Sequence, residues 1–172
     1  MFLGMQIERE GELGSITMNQ TLYIKDMLQR HGLEQCRQTA TTLDPGFQVV
    51  CINEHCVAQN PTAYQSAIGE LMWLALTSRP DFYHAVVKLA QRNKDAHDKH
   101  VLGVKQVMRH LAGTATNKLS YCAGDSALVG YVDADWAGDL RSYTGYVFLL
   151  SGGPNSWKSE KQTFSSIARR QS

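Results

Sequence analysis

The sequence contains no apolar run approaching the ~20 residues that a membrane-crossing helix needs, which gives no reason to expect a membrane partner. It also lacks an excess of charge: 17 basic residues against 16 acidic ones leave a net +1. Total charge therefore does not point to a polyanionic partner. Cysteine is scarce. The four present, Cys36, Cys51, Cys56 and Cys122, imply no disulfide framework, and charge follows within a few residues of Met1 where a secretory leader would be apolar. An intracellular setting, cytoplasmic or nuclear, is the expectation. Internal repeats and low-complexity tracts are missing too, which excludes a solenoid and a biased linker. What remains is an ordinary globular balance, 43% hydrophobic and 19% charged, over 172 residues: one domain, or parts of two.

The chain opens inside a strand-like pattern, which reads as a cut. Phe2 to Ile7 and Ser15 to Met18 flank a polar stretch holding Gly11 and Gly14, the pattern of a hairpin. Tyr23, Ile24, Met27 and Leu28 recur at helical spacing and predict a helix over 20–31, with Gly32 placed to cap it. Residues 36–60 hold no sustained period and include the turn signal Asp44-Pro45-Gly46. Three helices should follow. The first covers 62–77 with Tyr64, Ile68, Leu71, Met72 and Ala75 inward; the second starts near Pro80; the third covers 97–112 and stops at Gly113. Beyond Gly113 the period changes to two. Leu119 to Cys122, Leu128 to Asp133, Tyr143 to Leu150 and Asn155 to Lys158 predict an antiparallel meander.

Charge is unevenly spread. Between Ala85 and Lys118 lie seven basic residues and two acidic ones, a local +5, with His97, His100 and His110 interleaved. Lys88, Arg92, Lys105 and Arg109 are the candidates for phosphate contacts. A solvated helix face has the same composition, and charge alone favours it. Cys51, His55 and Cys56 are close in sequence but match no zinc spacing and lack a fourth ligand. Tyr64, Trp73 and Trp157 read as packing residues rather than base-stacking platforms. Asp133 and Asp135, taken alone beside Trp136 and Gly138, have the look of a turn.

Four blocks carry a resemblance. The first is Phe2-Leu3-Gly4-Met5-Gln6-Ile7, followed by Met18 to Ile24. The second is Tyr64 to Leu74, ending in Thr77-Ser78-Arg79-Pro80-Asp81. The third is Val107-Met108-Arg109-His110-Leu111-Ala112-Gly113-Thr114. The fourth is Gly130-Tyr131-Val132-Asp133-Ala134-Asp135-Trp136-Ala137-Gly138-Asp139, then Thr144 to Phe148 and Ser156-Trp157-Lys158-Ser159. In order and spacing they resemble the Pol polyprotein of copia-type retrotransposons, from the end of the reverse transcriptase into the ribonuclease H domain.

The resemblance implies an α+β chain: a hairpin and helical thumb/connection segment followed by a truncated, RNase H-like antiparallel sheet. Residues 1–35 would close the palm and thumb, 36–60 form an irregular linker, 61–116 a three-helix connection, and 117–172 the truncated RNase H-like part. The parent copies RNA into DNA and degrades the RNA strand of RNA–DNA hybrids, using Mg²⁺ held by clustered carboxylates. Asp133 matches the first carboxylate, a catalytic and metal-ligand position; Asp135, two residues on, would share its face. The family's later carboxylates follow a Ser-Ser pair. Here Ser165-Ser166 leads into Ile167-Ala168-Arg169, and no Asp or Glu follows Glu160. Leu140-Arg141-Ser142-Tyr143 is shorter than the family's run at that place, and the palm's Tyr-x-Asp-Asp does not occur. The expectation is a chain inert by itself that holds no Mg²⁺ stably. The alternatives are a non-catalytic module that binds RNA–DNA hybrid or primer–template through Lys88, Arg92, Lys105 and Arg109, and an interaction remnant that self-associates through exposed apolar surface.

Overall fold

The computed structural model describes residues 4–11, 14–49, 60–122, 127–135 and 143–161. Expectations placed on Phe2, on Cys51, His55 and Cys56, on 136–142 and on the stretch from Gln162 onward lie outside them.

Strands β1 (Gln6–Arg9) and β2 (Ile16–Asn19) form the expected antiparallel hairpin, with Gln6 opposite Asn19. Gly11 stands at the start of the reversal with φ 69°, a left-handed conformation that side chains disfavour. Asn19 then starts helix α1 (Thr21–Arg30): its Oδ1 accepts the Thr21 N–H at 3.1 Å. Ile24, Met27 and Leu28 are the face that α1 buries. At its end Gly32 takes φ 65° and Leu33 N–H reaches back to Leu28 O at 2.8 Å, which closes the last turn.

Helix α2 (Pro61–Thr77) has Pro at its first position and Asn60 as its cap, the Asn60 Oδ1 accepting from Ala63 N–H at 3.0 Å. The helix expected from Pro80 begins as a 3-10 turn, Pro80–Phe82, and continues as α3 (Tyr83–Ala90). Helix α4 (Asp98–Gly113) completes the bundle. Leu71, Leu74, Phe82, Leu89, Met108 and Leu111 are fully buried between the helices. Each such side chain contributes roughly 1.5–3 kcal/mol, so this helical core is the main stabilising element of the chain. Tyr64 packs inside it as expected, its hydroxyl donating to Leu89 O at 2.8 Å, and burial pushes its pKa well above the ordinary phenol value. Trp73 departs from expectation: it is 37% exposed on the outer side of α2.

The strands form two three-stranded antiparallel sheets, β1-β2-β3 and β4-β5-β6, and the fold class is α+β with no closed barrel among the described residues. The expected four-strand meander needs correction. Strand β3 (Leu119–Tyr121) pairs with β2 of the hairpin, Ile16 opposite Tyr121, and not with β4. Alternation identifies a strand without naming its partner, and β2 has a free edge beside it. The two sheets meet there: Tyr121 Oη donates to Pro154 O at 2.7 Å and Cys122 N–H to Ser151 O at 2.8 Å. Strands β4 (Val129–Asp135), β5 (Tyr143–Leu150) and β6 (Gly153–Lys161) form the second sheet, as the period-two pattern predicts. It seats on the helices through Trp157, whose indole N–H donates to Ala75 O at 2.8 Å, and through the His84 Nδ1–Ser159 Oγ contact at 2.8 Å.

Candidate functional site

Strand register decides what surrounds Asp133. It stands opposite Gly145 of β5, so its cross-strand neighbour offers no side chain at all. Alternation puts Tyr131 on the same face, and that face includes Val147 and Trp157 through the β5 and β6 registers. Asp133 is exposed and opens on a groove of about 840 Å³ between the second sheet and the start of α3, lined by Pro80, Asp81, His84 and Tyr131 among others. Asp135 lies on β4 opposite Tyr143.

The second carboxylate of the groove is committed elsewhere. Asp81 receives both ends of the Arg79 guanidinium, Nε to Oδ1 at 2.9 Å and Nη2 to Oδ2 at 2.8 Å. Burial pushes the Asp81 carboxyl upward in pKa, but the Arg79 bonds and charge outweigh it and hold it below the ordinary carboxylate value. Among the described residues, no three His, Cys, Asp or Glu side chains gather so as to hold a metal ion. Mg²⁺ demands near-octahedral oxygen ligation. Among the described side chains, one exposed carboxylate facing a glycine does not fit a pair of such ions.

The four basic candidates fall into different settings. Lys88 lies on α3 with its ammonium 5.5 Å from the centre of the Tyr143 ring. Arg92 is paired with Asp95 at 2.5 Å and donates to Val49 O at 3.2 Å. Lys105 and Arg109 are exposed one turn apart on α4 and make no ion pair with any described residue. Only these last two share a helix face with their charges open to solvent.

Two arrangements escaped the sequence reading. Thr77-Ser78-Arg79-Pro80-Asp81, read as a helix stop, is a buried polar lock. Gln20 Oε1 accepts from the hydroxyls of Thr77 at 2.6 Å and Ser78 at 2.5 Å. Arg79, 2% exposed, adds bonds to Thr114 O at 2.9 Å and Thr114 Oγ1 at 2.6 Å. The lock ties the start of α1, the end of α2 and the end of α4 together. A charged residue directly after a long apolar helix was the available signal, since such a residue is buried only when fully paired. The second is His100, noted only within the basic stretch. It is wholly buried, its Nε2 at 2.9 Å from Val49 O and its Nδ1 accepting His97 N–H at 3.0 Å. Burial holds its pKa below the ordinary imidazole value.

Comparison with known proteins finds relatives by sequence. Over 168 residues, 93% of its length, the chain is 34% identical to the retrovirus-related Pol polyprotein from transposon TNT 1-94 of Nicotiana tabacum, of which it spans 13%. It is 33% identical over 165 residues, 94% of its length, to the retrovirus-related Pol polyprotein from transposon RE1 of Arabidopsis thaliana, of which it spans 11%. Over 103 residues, 58% of its length, it is 47% identical to the secreted RxLR effector protein 161 of Plasmopara viticola, covering 72% of that protein. No family model and no solved structure matches the chain.

Proposed function

Because this chain belongs to the Pol polyproteins of copia-type retrotransposons, we propose that it is a segment of a reverse transcriptase and ribonuclease H that is inert by itself. Residues 61–116 correspond to the connection, and the β4–β6 sheet to the opening strands of the ribonuclease H part. The observation that carries this reading is the setting of Asp133: exposed on β4, opposite Gly145, with the nearby Asp81 consumed by Arg79.

Hydrolysis of the RNA strand in a hybrid needs a metal-activated water and a metal-stabilised leaving oxygen. Two cations at that centre require several carboxylates to offset their dehydration. Asp133 supplies one. The parent's Mg²⁺ and its partners, RNA–DNA hybrid and primer–template, therefore belong to the longer protein. Purified chain incubated with a labelled hybrid and Mg²⁺ should leave the RNA intact. Cleavage that Asp133→Asn abolishes would refute the proposal.

A second reading is supported by Lys105 and Arg109. Two exposed cations one turn apart on a rigid helix are suited to neighbouring phosphates, so a nucleic-acid contact can persist where catalysis does not.

A further inference from the structure

Residues 38–49 form neither helix nor strand, yet they lie as a strap along α4. Thr39 Oγ1 donates to Gln106 O at 3.3 Å, and Gln106 Nε2 donates to Asp44 Oδ1 at 2.8 Å. Leu43 and Phe47 sit over Gly103: a Cβ there would come within 3.4 Å of each, and within 2.9 Å of Leu89 of α3. Glycine gives the room for that close approach. The strap thus covers the α3–α4 junction, with Val49 buried at its far end.

Val49 is held by His100. The wholly buried ring uses both of its nitrogens. Nδ1 accepts the His97 N–H at 3.0 Å, so the ring proton is on Nε2, which donates to Val49 O at 2.9 Å. The Phe47 ring meets the imidazole edge-on, with centroids 6.4 Å apart. A second proton has one place to go, Nδ1, where it would face the His97 N–H as donor against donor. The imidazolium would also be a buried charge, which is costly without an anionic partner. Among the described residues, the charged groups that act on the ring are Lys99 and His97 of α4 and Arg92 of the turn after α3. All three are basic. Arg92 donates to the same Val49 carbonyl and pairs with Asp95. Burial above all, and then these cations, hold the His100 pKa below the ordinary imidazole value, against the pull of the Val49 bond.

We infer that His100 is the catch of an acid-released strap: on protonation its ring turns out to water, and Phe47 and Val49 lift from α4 and uncover the junction at Leu89 and Gly103. The strap is the element that yields, because a few hydrogen bonds and small apolar contacts hold it. Helix α4, by contrast, packs Val104, Val107, Met108 and Leu111 into the core. The inference is independent of the catalytic reading, since it uses none of the residues around Asp133.

Titration of the full, isotope-labelled chain by NMR from about pH 8 to about pH 5 tests it. The amide signals of residues 38–49 should change with one midpoint, the one at which the His100 ring gains its proton. Those of Ile24 to Leu28 on α1 should hold still over the same range. Linkage is reciprocal. Gln106→Ala, which weakens the strap at a site away from His100, should therefore move the His100 midpoint up toward the ordinary imidazole value. In His100→Gln the strap transition should vanish. The inference would be overturned by a His100 ring that gains its proton while the strap signals stay unmoved, by changes confined to residues 97–101, or by loss of the α1 signals at the same midpoint. A midpoint indifferent to Gln106→Ala, or a strap transition retained in His100→Gln, would overturn it equally.

Discussion

Replacing Asp81 by Asn removes the carboxylate from a guanidinium that cannot escape to water. The Arg79 side chain is 3% exposed and the Asp81 side chain 41%. Breaking a buried ion pair by removing one partner costs roughly 3–5 kcal/mol. Here the lost partner faces solvent, and Asn retains an oxygen that accepts one of the two bonds, at 2.9 and 2.8 Å, that Asp81 takes from Arg79. The cost should therefore fall to about 2–3 kcal/mol. For a chain of this size each kcal/mol moves Tm by roughly 2–4 °C, which gives a fall of roughly 4–12 °C. Urea unfolding followed by circular dichroism, with calorimetry for Tm, measures both. The pH dependence supplies a second signature. The folded pKa of Asp81 is held below its unfolded value, so its stabilisation is full above the ordinary carboxylate range. It is lost as pH falls through that range toward the folded value. Wild type and Asp81→Asn should therefore converge in acid. A loss under about 0.5 kcal/mol, the range of an ordinary surface change, or parallel acid limbs in the two proteins, would refute the lock.

His100 gives a pH dependence at higher pH. Its folded pKa lies below the unfolded imidazole value, so the folded chain binds fewer protons and loses stability as pH falls below about 6.5. Urea midpoints at about pH 8 and about pH 5 should diverge in wild type and draw together in His100→Gln. For the second functional reading, Lys105→Glu combined with Arg109→Glu should weaken binding of a hybrid duplex and flatten its salt dependence by about two phosphate contacts. An unchanged slope of log Kd against log salt would remove α4 from the interface.

Periodicity made the helices legible because each has one strongly apolar face: Ile24, Met27 and Leu28 on α1, or Val104, Val107, Met108 and Leu111 on α4. The same alternation that marks Leu119 to Tyr121 as a strand carries nothing about its partner, so a meander pairing β3 with β4 is the expectation and the β2 edge is where it lies. Trp73 shows the converse limit. On a helix as apolar as α2, burial of one face is assured, but the residues that form the other face depend on packing partners distant in sequence. At the site, resemblance singles out position 133 and pattern does not, since two nearby aspartates beside a glycine equally describe a turn. The lack of a second free carboxylate beside it among the described residues was not legible. That depends on Gly145 across the strand and on Arg79 holding Asp81, and both are facts of three dimensions. Linear charge counting grouped Lys88 and Arg92 with Lys105 and Arg109, whereas folding commits the first pair to Tyr143 and Asp95.

We propose that Asp133 occupies a metal-ligand position that lacks companion ligands among the described residues. Titration of the chain with Mg²⁺ in a calorimeter, beside Asp133→Asn, tests it most directly. No saturable binding that distinguishes the two proteins is expected. Two ions bound at saturating sites in the wild-type chain and lost in Asp133→Asn would contradict it.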